Sequence, residues 1–306
     1  MNVREWALPV YTILMQLAVG SLLTLWLMRA AVRQRYGRSA TDLVMRLPIL
    51  AICLTILTAI VGAHFHLSQS YFSLLAVLNW RTSWLSREVI FTILFFASAT
   101  SLAYLLWFKN GQARLITSLG WVSLTAGGLV VYSMSKIYLL PTQASWNTPL
   151  TLYAFFLTTL LLGVTAVSVL LVMDLNLSEV AGGAETAVRR QLIQKSFVWL
   201  AATAFFVAGV ILALNLLQIK ILNQGDAPAQ TSLLLLLGLY QPLFALRFIT
   251  LFTGVSWFSL TAFHLQRRHL TPLKLTNPIY LACLLVLIAE ITGRFLFYAK
   301  HVRLGI

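Results

Sequence analysis

The chain has 306 residues, of which 59% are hydrophobic and 10% charged, with a mean hydropathy of +0.86 and a formal net charge of +14. A soluble domain of this length needs a polar surface that this composition does not supply, so lipid is its main solvent. The basic residues are scattered between apolar runs and form no single stripe, which argues against nucleic acid as their partner.

About 20 apolar residues are needed for a helix to cross a bilayer, and hydrocarbon offers backbone groups no partners outside a helix. The sequence predicts eight spans, at 7–28, 43–63, 89–108, 115–135, 150–173, 197–217, 233–262 and 278–298. The first, Ala7 to Met28, is too long for a signal h-region and reads as a retained helix. Pro48 falls early in the second span, Pro141 and Pro149 flank the turn before the fifth, and Pro272 and Pro278 bracket entry to the eighth. Pro242 inside the seventh is expected to kink it. The connection 64–88 is studded with Tyr71, Phe72, Leu78, Trp80 and Trp84, and is expected to lie along the interface as a short amphipathic helix. Glu179 to Glu185, with Gly182 and Gly183, reads as a flexible linker. Tyr11, Trp26, Trp107 and Trp121 read as aromatic belts. The spans fall into two groups of four, residues 1–149 and 150–306.

Loops after the odd-numbered spans carry 13 of the 22 Lys and Arg residues, against 7 on the other face and 2 within spans. The basic-rich face is expected in the cytoplasm, with both termini on the outer side. Cys53 and Cys283 lie inside apolar runs and read as small buried hydrophobes. No spacing suggests a zinc or iron–sulfur motif, so a metal centre is expected only in a partner.

Ionisable groups inside a membrane are costly, and here they gather at one face. His64 and His66 end the second span; Trp84 to Glu88 leads into the third; Lys136 and Tyr138 end the fourth; Glu290, Arg294 and Tyr298 share one stripe of the eighth by their spacing of four. Such a set suits quinol oxidation, in which two electrons and two protons leave. Histidine and a desolvated glutamate both accept protons near neutral pH. His66 and Glu88 are the expected acceptors, with Arg81 or Arg87 orienting the head group or holding Glu88 ionised. Two plainer readings stand beside this one: Glu290 and Arg294 neutralise each other, and His64 only snorkels to headgroups. Arg247, within the seventh span, is expected to need a buried carboxylate, carbonyl or water. Membrane haems use two histidines facing each other within a bundle. None of the five here lies well inside a span, so no haem is expected, and a His66–His301 pair is its one plausible arrangement.

Several runs carry a family resemblance. His66-Leu67, Asn79, Arg81 and Ser83 to Glu88 resemble the outer loop between the second and third helices of dimethyl sulfoxide reductase membrane-anchor subunits. Ala289-Glu290-Ile291-Thr292-Gly293-Arg294-Phe295-Leu296-Phe297-Tyr298 resembles their last helix, and Lys136-Ile137-Tyr138 with Trp146-Asn147-Thr148-Pro149 resembles the region around their fourth and fifth. Ser68-Gln69-Ser70 replaces the family's usual Gly-Ser-Pro. The resemblance implies two adjacent four-helix bundles that anchor a molybdopterin catalytic subunit and a four-cluster iron–sulfur subunit. It also implies menaquinol as the electron donor, with His66 and Glu88 bearing on its oxidation. The expected function is therefore that of a quinol-oxidising anchor in a bacterial inner membrane, serving anaerobic respiration. The chain itself would hold no metal, and its electrons would pass directly to a cluster in the partner. A secondary transporter or channel using Arg247, Glu290 and Arg294, and a passive scaffold, are the alternatives.

Overall fold

The structure, a computed structural model, describes residues 7–66, 74–109, 111–180, 186–267 and 272–302. The apolar runs become helices: α1 (Ala7–Tyr36), α2 (Arg38–Val44), α3 (Arg46–His66), α4 (Trp84–Phe108), α5 (Ala113–Ile137), α6 (Pro149–Val180), α7 (Thr186–Gln224), α8 (Ala227–Leu234), α9 (Gln241–Arg267) and α10 (Pro272–Ala299). Eight of them, all but the short α2 and α8, are long and apolar enough to cross a membrane. An even number of crossings brings the start of α1 and the end of α10 to one side, the terminal face.

Several helices outrun their apolar cores. α6 has 32 residues and α7 has 39, well past the expected spans at 150–173 and 197–217. The extra turns at 174–180 and 186–196 lie away from the terminal face and are tied by charge: Arg189 bridges Asp174 at 2.7 Å, and Arg190 bridges Glu179; α7 also runs on to Gln224 at the terminal face. Hydropathy marks only the lipid-facing stretch, whereas backbone hydrogen bonding carries the helix on into the interface. The expected linker falls largely at 181–185, outside the described residues. At the same end Arg29, buried, pairs with Asp42 at 2.9 Å.

The seventh span differs from its expected form. It does not run unbroken through 233–262. α8 starts at an Asp226 cap that accepts from the Ala229 amide at 3.1 Å. A π-helical segment, Leu235–Leu239, follows, and α9 begins anew at Gln241. Pro242 is thus the second residue of α9, where its missing N–H would have no helical partner anyway, and the break precedes it. Pro278, expected at the entry to the eighth span, lies inside α10. The connection before the third span holds a short 3-10 helix, Leu74–Asn79; residues 67–73 lie outside the described residues.

Lipid gives helices little hydrophobic reason to associate, so close packing of small residues matters. α1 and α6 cross with bare backbones in contact: a Cβ on Gly20 would meet the Thr159 carbonyl, and one on Gly163 would meet Gly20 itself. Around this crossing α1 also packs on α3, and α6 on α7 and α10, while α9 packs against α7 and α10 and α4 against α5. Trp26, expected in a belt, is instead buried against Gly120, with Arg29 over its ring at 4.7 Å. Trp107 and Trp121 are exposed. Cys53 is buried and Cys283 half-buried, both free thiols.

Candidate functional site

Polar residues four apart on α10 supply one wall of a buried cluster near the terminal face. Tyr298, Arg294 and Glu290 each reach a different helix. The Tyr298 hydroxyl lies 2.5 Å from that of Tyr138, just past the end of α5. Burial pushes the Tyr138 phenol well above its ordinary range, and the neighbouring Tyr298 and Glu88 act the same way. Tyr138 is therefore a neutral hydroxyl, able to donate or accept.

Arg294 is buried and donates from Nη2 to Gln16 Oε1 on α1 at 2.5 Å. Gln16 in turn donates to the Phe155 carbonyl of α6 at 2.8 Å, and the guanidinium lies 4.0 Å above the Phe155 ring. The carboxylate of Glu290 accepts from Thr158 on α6 at 2.6 Å and stands 3.9 Å from Arg247 Nη2 on α9. Arg247 also donates to Asn215 on α7 at 3.2 Å. So the contacts of Glu290 and Arg294 lie across helices, and no bridge joins them to each other among the described residues. Gly293 of the Glu-Ile-Thr-Gly-Arg run leaves the room that the Arg247 guanidinium occupies.

Glu88 is the fifth residue of α4. That helix starts five residues earlier than the expected span because Ser83 caps it, accepting from the Ser86 amide at 3.3 Å. The early start turns Glu88 inward, and it is only 4% exposed. Its carboxylate shares a hydrogen-bond contact with Tyr11 of α1, whose hydroxyl lies 3.2 Å from Thr92. Glu88 also acts electrostatically on Tyr138 and Tyr298. A polar seam thus runs from Glu88 and Tyr11 through the tyrosine pair to Arg294 and Gln16. Trp146 closes one end: it donates to the Phe297 carbonyl at 2.7 Å and stacks on Phe297 and on His301, each at 5.3 Å.

Arg87 and Arg81 sit apart from this seam. Arg87 donates to the Trp80 and Arg81 carbonyls at 2.9 and 2.6 Å and lies 4.2 Å over the Trp84 ring. It secures the loop before α4 and makes no ion pair with Glu88 among the described residues. Arg81 is exposed beside Trp80. His64 and His66 end α3, with side chains outside the described residues. The sequence reading missed Gln16, Thr158, Asn215 and Lys300, and it assigned Tyr11 to a belt. The available signal was polarity within apolar runs, most plainly at Gln16.

The model for the family described as DMSO reductase anchor subunit (DmsC) matches residues 1–300, nearly the whole chain. The chain belongs to the DMSO reductase anchor subunit family. No curated protein matches it. A DMSO reductase anchor subunit is the membrane anchor of a DMSO reductase-type molybdoenzyme, which implies catalytic and iron–sulfur partner subunits. Residues 289–298, which first suggested this anchor family, are the stretch of α10 that builds the buried cluster.

Proposed function

We propose that this anchor subunit oxidises quinol and passes the electrons to its iron–sulfur partner. The supporting observation is Glu88, a carboxylate buried beside the Tyr11 hydroxyl and electrostatically linked to Tyr138 and Tyr298. Two electrons and two protons leave a quinol as it becomes quinone. Glu88 takes one proton and His66, on the neighbouring α3, takes the other. Tyr11 and Tyr138 hold the ring oxygens by hydrogen bonds. The isoprenoid tail remains in lipid, and the buried Arg294 keeps the cluster close to neutral as protons move.

Menaquinol is the donor implied by the family resemblance. The electrons enter a four-cluster iron–sulfur subunit docked on the terminal face, and a molybdopterin subunit uses them. The excess of basic residues on the opposite face supports a periplasmic terminal face in a bacterial inner membrane. Protons are then released on the side where they are produced, and the step is electroneutral. The two groups of spans, 1–149 and 150–306, act as adjoining four-helix bundles.

The test uses the assembled complex in membranes, with Glu88→Gln and His66→Arg. Oxidation of a menaquinol analogue is followed optically, and assembly by co-purification of the partner subunits. Intact assembly with quinol oxidation lost supports the proposal. Turnover at the native rate in both variants overturns it and leaves a passive tether.

A further inference from the structure

Behind the cluster, between α6, α7, α9 and α10, lies a cavity of about 70 Å³, lined by Arg247, Arg294, Lys300, Glu290, Asn215 and Gln218 together with apolar side chains. Three of these side chains are basic and one is acidic. The Nε atoms of Arg247 and Arg294 are buried without a hydrogen-bond partner, and so is Glu290 Oε1. Lys300 is 5% exposed, and its ammonium has no ion pair or hydrogen bond among the described residues. A buried amine without a counter-charge cannot hold its proton cheaply, and two orphan guanidinium N–H groups beside it are costly as well.

The size of the space limits what can fill it. An apolar cavity that takes up a six-membered ring has about 150 Å³, roughly twice what is available, so a quinol ring does not fit. A tetrahedral oxyanion or a few waters do. The excess of donors and of positive charge selects the anion over water. Position selects its source. Lys300 stands one residue beyond the Thr276–Ala299 span, at the depth of lipid headgroups, and Arg294 lies about 9 Å deeper along the helix. The side chain of Arg247 is 13% exposed, between Leu246 and Ile249 on the outward surface of α9. An anion that enters beside those residues arrives through hydrocarbon.

We propose that this cavity binds the phosphodiester of an anionic phospholipid, with Arg247, Arg294 and Lys300 as donors to its oxygens. A lipid so held pins α9 to α10 and α7 at the rim of the buried cluster. Basic pockets between transmembrane helices are general sites for such headgroups. Lys300, which burial and then Arg247 push down to about 7, regains its proton when the phosphodiester binds.

The complex is purified in a neutral detergent for the lipid count, and then stripped of lipid for the stability measurements. Bound lipid is counted by native mass spectrometry, and unfolding temperature is measured with phosphatidylglycerol, phosphatidylethanolamine or inorganic phosphate. Expected are one retained anionic lipid and stabilisation by phosphatidylglycerol alone. In Arg247→Gln and Lys300→Gln, affinity for phosphatidylglycerol falls roughly tenfold each, as loss of a charged hydrogen bond implies. Equal stabilisation by inorganic phosphate overturns the lipid source in favour of a free anion. No difference between phosphatidylglycerol and phosphatidylethanolamine overturns the site. The wild-type measurements decide this even where a variant fails to assemble, and none of them depends on quinol turnover.

Discussion

The guanidinium of Arg247 rests against the bare α-carbon of Gly293. A methyl group there would stand 2.5 Å from Nε and 2.6 Å from Cζ. Those atoms belong to the far end of a flexible side chain, so the arginine can swing away. Gly293→Ala is therefore expected to keep the fold, because the gain in helix propensity, about 1 kcal/mol, offsets much of the local crowding. It is expected to break the 3.9 Å approach to Glu290 and to lower phosphatidylglycerol affinity as Arg247→Gln does. Unfolding temperature and lipid titration, read side by side, check this.

The Tyr138 and Tyr298 hydroxyls form a buried pair, so removing one leaves the other unsatisfied. Tyr298→Phe or Tyr138→Phe is expected to cost about 1–3 kcal/mol, and the double variant little more than either single one. Additive losses in a double-mutant cycle of detergent-solubilised protein would mean that the pair is not coupled.

The crossing of α1 and α6 has no flexible atom that can give way. Gly20→Ala or Gly163→Ala drives a methyl group into backbone, so the two helices must separate. A loss of about 3 kcal/mol or more is expected, beyond ordinary overpacking, with little protein accumulating in the membrane. Gly62 and Gly128 have open space around them, and alanine there serves as the control.

Lys300 makes stability depend on pH with a definite sign. Its folded-state value is pushed from 10.5 to about 7, mainly by burial. Between these values the unfolded chain binds a proton that the folded chain does not, so stability rises with pH across the window and falls as pH drops toward 7. The charged groups facing it in the cavity are Arg247, Arg294 and Glu290. In lipid-stripped protein, Lys300→Met is expected to flatten this slope between pH 7 and 10, measured as unfolding temperature against pH. Added phosphatidylglycerol is expected to flatten it in the wild type.

The eight crossings were legible in the sequence because transfer from water to hydrocarbon is a local property, summed residue by residue along a run. The stripe of Glu290, Arg294 and Tyr298 was legible too, since helical geometry alone fixes a spacing of four. The break before α9 was placed wrongly. Pro242 reads as an interior kink, whereas the chain departs from α-helical geometry at Leu235–Leu239, where Gly238 is the one local signal in a leucine run. The start of α4 was missed by five residues, because Ser83 acts through a cap hydrogen bond that hydropathy does not register.

Sequence by itself determined that this chain lives in lipid, how often it crosses, and that its last helix carries an acid, a base and a phenol on one face. Only the tertiary structure decided their partners. Arg294 takes Gln16 from 278 residues away and Glu290 takes Thr158 from 132 away. Those pairings follow from the packing of α10 on α6 and α1, together with the contact of Gly20 with Gly163 that brings α1 close to α6. Charges adjacent in sequence could have neutralised each other. Packing turned them outward to separate helices instead, because each buried polar atom bonds to whichever group the crossing helices bring within reach.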